Sequence, residues 1–160
     1  MIRRTLLVLM LMLPAVHAPV TTHAQDAAQP ELPKEPLSIA TRDGKVHAFQ
    51  VEMALSGPQQ TIGLMFRPSV PADGGMLFDW GTPRDSNMWM RNTVSALDML
   101  FINQDGTIRR IAEDTVPGSL AIIESRGPVR ATLELAAGTA KRLDIRVGDV
   151  VRQRIFANAP

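Results

Sequence analysis

From Leu37 onward, apolar and polar residues alternate in short runs, and Gly, Pro and Asp interrupt the runs at close intervals. Residues 37–41 alternate and lead into Asp43-Gly44, a strong hairpin signal. In 46–55, Phe49, Val51, Met53 and Leu55 fall on one face, and Ala48, Gln50 and Glu52 on the other. This is the period-two pattern of a half-buried strand. His47 lies at the end of its apolar face. Further strands are predicted at 76–80, 87–90, 95–103, 107–111, 121–125, 129–135 and 150–156. Gly81, Pro83 and Asp85 separate the first two of these, Asp105-Gly106 forms a second hairpin turn, and Gly127-Pro128 divides 121–125 from 129–135. Pro58 suits the first turn of a short helix running through Ile62, Leu64 and Met65, which Pro68 ends. A second short helix is predicted at 138–143. Strand-sized runs punctuated in this way predict a mainly β fold: a compact β-sandwich or small barrel with one or two short helices.

The first 36 residues follow another pattern. Arg3 and Arg4 precede an apolar run from Leu6 to Leu13, which Pro14 ends. Eight residues are too few to cross a bilayer core of about 30 Å as a helix, and the order of charge, apolar stretch and small residues reads as a secretory signal peptide. Pro19 disfavours a cut after Ala18, so cleavage is expected after Ala24, with the product periplasmic or secreted. Residues 25–36 carry Pro30, Pro33 and Pro36 at every third position and read as an extended, proline-rich tether. The expected organisation is thus a signal peptide at 1–24, a tether at 25–36 and one β-rich domain at 37–160, with no membrane span after cleavage.

Composition narrows the chemistry. The chain has 160 residues and a net charge of +1, from 17 Lys and Arg against 16 Asp and Glu. Removing Arg3 and Arg4 leaves 15 against 16, a net −1. Such a balance gives no electrostatic basis for nucleic-acid binding, so no nucleic-acid partner is expected. Cysteine is absent, which excludes a disulfide framework, a thiolate zinc site, a cysteine nucleophile and a lipid-modified cysteine. An exported domain without disulfides must rest on its packed core. The sequence shows no internal repeat, no glycine-rich phosphate loop and no cluster of His and carboxylates at metal-ligand spacing, so no cofactor is expected.

The stretch 87–102 concentrates unusual residues. Met88 and Met90 would share one strand face, with Trp89 and Arg91 on the other. Asp98 interrupts an apolar run whose even-numbered members, Leu100 and Ile102, suggest a buried face. A buried carboxylate needs hydrogen bonds or a cation, or else its pKa shifts. The favoured reading of Asp98 is a structural carboxylate that caps backbone amides in the loop before its strand; the alternative is an acid or base in a pocket with Asn92 and Thr93. Glu134 falls on the polar face of 129–135, where a solvated side chain is the default.

Several ordered blocks carry a family resemblance: Gly63-Leu64-Met65-Phe66-Arg67, Gly75-Met76-Leu77-Phe78, Met88-Trp89-Met90-Arg91-Asn92-Thr93, Leu97-Asp98-Met99-Leu100-Phe101-Ile102, Leu133-Glu134-Leu135-Ala136-Ala137-Gly138 and a closing Gly148-Asp149. Together they resemble Domain of Unknown Function family 192 over roughly Leu37 to Phe156. The resemblance implies a compact, mostly β domain, often exported, and no established activity. Arg91 stands where the family often has lysine, and Ala96 where proline is common.

Four functional readings follow from the residues. The first is a binding module for a small polar or carbohydrate-like ligand, built from Arg67, Trp89, Asn92, Thr93 and Asp98, an aromatic platform with a few fixed polar groups. The second is a soft-metal site for Cu(I), with thioethers from Met88 and Met90 and a third donor in His47; against it, alternating methionines usually fill core gaps. The third is a hydrolase using Asp98 and Glu134 as acid and base, which requires the two within several ångströms across a cleft. The fourth is a structural or assembly role in the cell envelope.

Overall fold

The computed structural model describes residues 27–159. The expected signal peptide at 1–24 and the first two tether positions lie outside the described residues.

Seven strands form one mixed sheet. In chain order they are β1 (Lys34–Ala40), β2 (Val46–Ala54), β3 (Gly74–Met88), β4 (Leu97–Ile102), β5 (Ile108–Ala112), β6 (Ile123–Ala136) and β7 (Val150–Arg152). Helix α1 (Gly57–Ile62) lies between β2 and β3, and α2 (Thr139–Leu143) between β6 and β7. The lateral order is β5-β4-β6-β3-β2-β1-β7. A bridge between Thr107 and Val150 brings the two ends together. Ile108 N donates to Asp149 O at 2.9 Å and Val151 N to Gly106 O at 2.8 Å. The sheet is therefore nearly closed into a small barrel, and few backbone groups are left on a free edge.

The hairpin at Asp43-Gly44 forms as the sequence indicates, with Gly44 at φ 86° and its N–H bonded to Thr41 O. The breaks expected within β3 and β6 do not end those strands. Instead β3 runs 15 residues and β6 runs 14, paired antiparallel, with register shifts between Asp79 and Arg84 and between Asp85 and Asn87. Bulges absorb Gly81, Pro83 and Pro128, so these residues bend the ribbon without terminating it. At the other end, the expected strand 150–156 is only three residues long. Gln153 Oε1 then accepts from Ile155 N and starts a 3-10 turn over Arg154–Phe156.

The segment read as a free tether packs on the domain. Lys34 to Pro36 open β1, and Gln29 Nε2 donates to Gly63 O at 2.9 Å and Gln59 O at 3.2 Å. The proline spacing does favour an extended chain, but backbone pairing with β2 and the carbonyls at the end of α1 hold it down.

There are two apolar cores, one on each side of the sheet. The barrel interior holds Leu37, Ile39, Phe49, Val51, Met53, Leu77, Leu100 and Leu133, among others. The second lies on the outer face and holds Leu64, Met76, Phe78, Met90, Leu97, Met99, Phe101 and Val129. Every residue of β4 is buried for this reason. The outer core is a consequence of topology. β2 and β3 are the one parallel pair, and a parallel pair needs a crossover of a dozen or more residues. Residues 55–73 supply that crossover, carry α1, and cover the outer face.

Candidate functional site

A cavity of about 410 Å³ lies between the crossover and the outer face of the sheet. Phe78, Trp80, Arg84, Asn87 and Met88 reach it from β3, Glu134 from β6, Gln60 and Thr61 from α1, and Trp89 and Thr93 from the loop after β3. Both tryptophans of the chain are in this lining. Strand alternation explains the floor. Met76, Phe78 and Trp80 follow one another on the outer face, and the register places Glu134 opposite Met76 and Met99, and Thr132 opposite Phe78.

The two indole rings are held differently. Trp80 Nε1 donates to Thr132 Oγ1 at 3.3 Å, and that hydroxyl shares a hydrogen bond with Ser86 Oγ at 3.0 Å. Phe78 packs against Trp80 with centroids 5.8 Å apart, and the Arg84 guanidinium lies 4.2 Å above the Trp80 ring. Trp89 is 41% exposed, with the Arg91 guanidinium 5.4 Å from its centroid. Trp80 is thus a fixed wall and Trp89 an open one, and each has a face that attracts a cation.

Glu134 is the unusual group. It is 4% exposed, and among the described residues no donor hydrogen-bonds its carboxyl. The other buried acids all have partners. Glu52 takes a bidentate Arg67 at 2.8 and 2.9 Å plus Leu32 N at 2.7 Å. Asp98 accepts from Asp114 N at 3.0 Å and Ala140 N at 2.8 Å. Asp149 accepts from Arg42 N and Arg146 N, and the half-buried Asp79 pairs with Arg130. Burial without compensation pushes the Glu134 carboxyl up to about 8. At neutral pH it is therefore mostly an uncharged acid, offering one O–H donor and one carbonyl acceptor. Gly63 covers it: a Cβ there would sit 3.9 Å from Glu134 Oε2 and 2.9 Å from Phe78 Cζ.

The structure brings together only part of the set named from sequence. Trp89 and Thr93 line the cavity. Asn92 does not: it adopts φ 55° and gives its carbonyl to Phe66 N at 2.8 Å, so its role is to shape the loop. Arg67 is committed to Glu52. Asp98 pairs across the sheet with Leu135 and so faces the barrel interior; it does hold backbone amides, but those of Asp114 after β5 and Ala140 at the start of α2, not those of the loop before its own strand. Because Glu134 is the neighbour of Leu135, Asp98 and Glu134 project from opposite faces and cannot form one acid–base pair. The expectation of a solvated Glu134 is corrected as well, because the crossover buries the face that alternation marks as polar. The soft-metal set is split as well, with His47 apart from the two methionines. Met88 and Met90 are in the outer core, and the Met90 sulfur accepts from Thr115 Oγ1 at 3.1 Å, while His47 shares the interior-facing parity of Phe49 and Val51. The residues not singled out beforehand are Trp80, Arg84, Asn87, Gln60 and Thr61. The signal available for Trp80 was its alternation with Met76 and Phe78.

Two solved structures resemble this one. A protein from Sinorhizobium meliloti 1021, described as a candidate transcription regulator, is 47% identical with a TM-score of 0.77, the match covering 80% of this chain and 99% of that one. A protein of unknown function from Novosphingobium aromaticivorans DSM 12444 is 36% identical with a TM-score of 0.74, covering 79% of this chain and 91% of that one. No curated protein matches the chain. The model of DUF192, described as "Uncharacterized ACR", matches residues 38–153, and with the ordered blocks and barrel described above the chain belongs to that family.

Proposed function

We propose that the protein is an exported binding module and that the cavity under the crossover takes a small polar, carbohydrate-like molecule. The observation that carries this reading is a buried carboxyl, without a hydrogen-bond donor among the described residues, at the floor of a cavity walled by both tryptophans. An aromatic wall supplies apolar contact area to a ring face, and a few fixed polar groups orient the ligand. Glu134, Gln60, Thr61, Asn87 and Arg84 supply such groups here. The near-balanced charge, 17 against 16, gives the regulator description of the Sinorhizobium relative no electrostatic support in this chain. Export rests on the N-terminal sequence pattern, and fractionation of cells expressing the full chain tests it by locating the processed protein.

Thermal shift against monosaccharides, peptidoglycan fragments and small carboxylates tests the binding reading. A ligand at one hundred times its Kd stabilises the folded state by about 2.7 kcal/mol, which is several degrees for a domain of this size. Trp89→Ala should lose the shift without losing the fold, since Trp89 is on the open side. A wild-type midpoint that no compound moves removes the reading.

A further inference from the structure

We infer that the ligand of this cavity carries an ammonium group, which pairs with Glu134 while oxygen acceptors on its other end meet Arg84. The inference rests on the binding reading above and narrows its ligand class. The three other buried acids among the described residues, Glu52, Asp98 and Asp149, each hold a guanidinium or two backbone N–H groups. Glu134 has neither among the described residues, and the residue that lies over it, Gly63, brings no side chain. The missing donor must come through the cavity. A cationic donor fits best, because charge-assisted bonds to a carboxylate are roughly twice as strong as neutral ones. The walls agree, since each tryptophan already has a guanidinium on one face, and a cation close to the rings gains from the same field.

Arg84 is the other charged residue of the lining, and it is held against Trp80. The remaining lining groups on α1, β3 and the loop after β3, including Gln60, Thr61, Asn87 and Thr93, are neutral. The cavity is therefore dipolar, with an acid at the floor and a guanidinium at the wall. A ligand cationic throughout would meet repulsion from Arg84, and one anionic throughout would meet it from Glu134 as that group ionises. An aminated, oxygen-rich molecule satisfies both ends. On binding, the protonated Glu134 releases its proton to solvent and the ligand ammonium keeps its own, so the pair forms with net release of one proton below the pH at which Glu134 ionises.

Glucosamine and glucose differ at one position, amine against hydroxyl, and serve as probes for calorimetric titration of the purified protein at pH 7. Glucosamine should bind at least about twofold more tightly, the charge-assisted pair outweighing the roughly tenfold cost of ionising Glu134 at pH 7. Its heat should vary with the ionisation enthalpy of the buffer, as proton release requires. Glu134→Gln should remove the preference and the buffer dependence. Equal affinity for the two sugars in the wild type, or a preference that survives Glu134→Gln, overturns the inference. If neither sugar binds but other compounds of the thermal-shift panel do, the ammonium inference falls and the binding reading stands; if nothing binds, both fall.

Discussion

Replacing Glu134 with glutamine should change how stability depends on pH, and the size of the change follows from where the carboxyl lies. In the unfolded chain it ionises near its ordinary value of 4.5, and in the folded chain near 8. Below pH 4.5 both states hold the proton and ionisation contributes nothing. Between 4.5 and 8 only the folded state holds it, so stability falls as pH rises, by about 1.4 kcal/mol per pH unit. Across the interval the loss sums to about 5 kcal/mol, an upper bound because water entering the cavity solvates the anion. Above pH 8 the difference is constant. Glutamine cannot ionise, and it keeps nearly the same shape. Urea denaturation of wild type and Glu134→Gln at pH 4.5, 6, 7, 8 and 9 isolates the effect, since every other titrating group cancels in the difference. The variant should gain on the wild type steadily from pH 5 to 8, whatever fixed offset the amide introduces. A difference that stays flat over that range would mean that the folded carboxyl ionises normally, and the argument for an uncompensated buried acid would be wrong.

Removing Arg67 should be severe. Glu52, 6% exposed at its side chain, would keep only the Leu32 amide, and Arg67→Ala should cost about 3–5 kcal/mol in urea denaturation. The double variant Glu52→Gln, Arg67→Met should recover much of that loss. Asp98→Asn turns one acceptor oxygen into a donor facing a backbone N–H, from Asp114 or Ala140. Leaving that group unpaired should destabilise by about 1–3 kcal/mol; ligand-induced midpoint shifts should persist in the folded fraction, because Asp98 is on the far side of the sheet from the cavity.

The strands were legible where alternation and turn chemistry agreed. Phe49, Val51 and Met53 declare the interior face of β2, and Asp43-Gly44 and Asp105-Gly106 declare their turns. Glycine and proline within β3 and β6 were misleading. A bulged pair can carry such residues without ending, and bulging depends on the partner strand, which local sequence does not name. The site was half legible. Trp89 and Thr93 stood in a distinctive block, and Asp98 was visible as a carboxylate in an apolar run. Glu134 was hidden because alternation assigns a residue to a face but cannot say what covers that face. Only the parallel pairing of β2 with β3, a long-range fact, places the crossover over it. Arg67 was legible as a cation, but its commitment to Glu52 joins residues 15 apart across separate elements.

Helix α1, which forms part of the cavity's roof, has no buried residue of its own. It is held by Gln60 Nε2 donating to Ala54 O and Asp79 O, and by Gln29 at its C-terminal end. A helix of 6 residues is too short to be stable alone. The roof is therefore set to open at a small fraction of the global unfolding free energy, while the β3–β6 ribbon beneath stays closed. In amide hydrogen exchange, 59–63 should exchange well before 76–78 and 131–135. Entry to the cavity would then need no hinge between domains, because local fraying of one turn and a half of helix is enough to uncover Glu134.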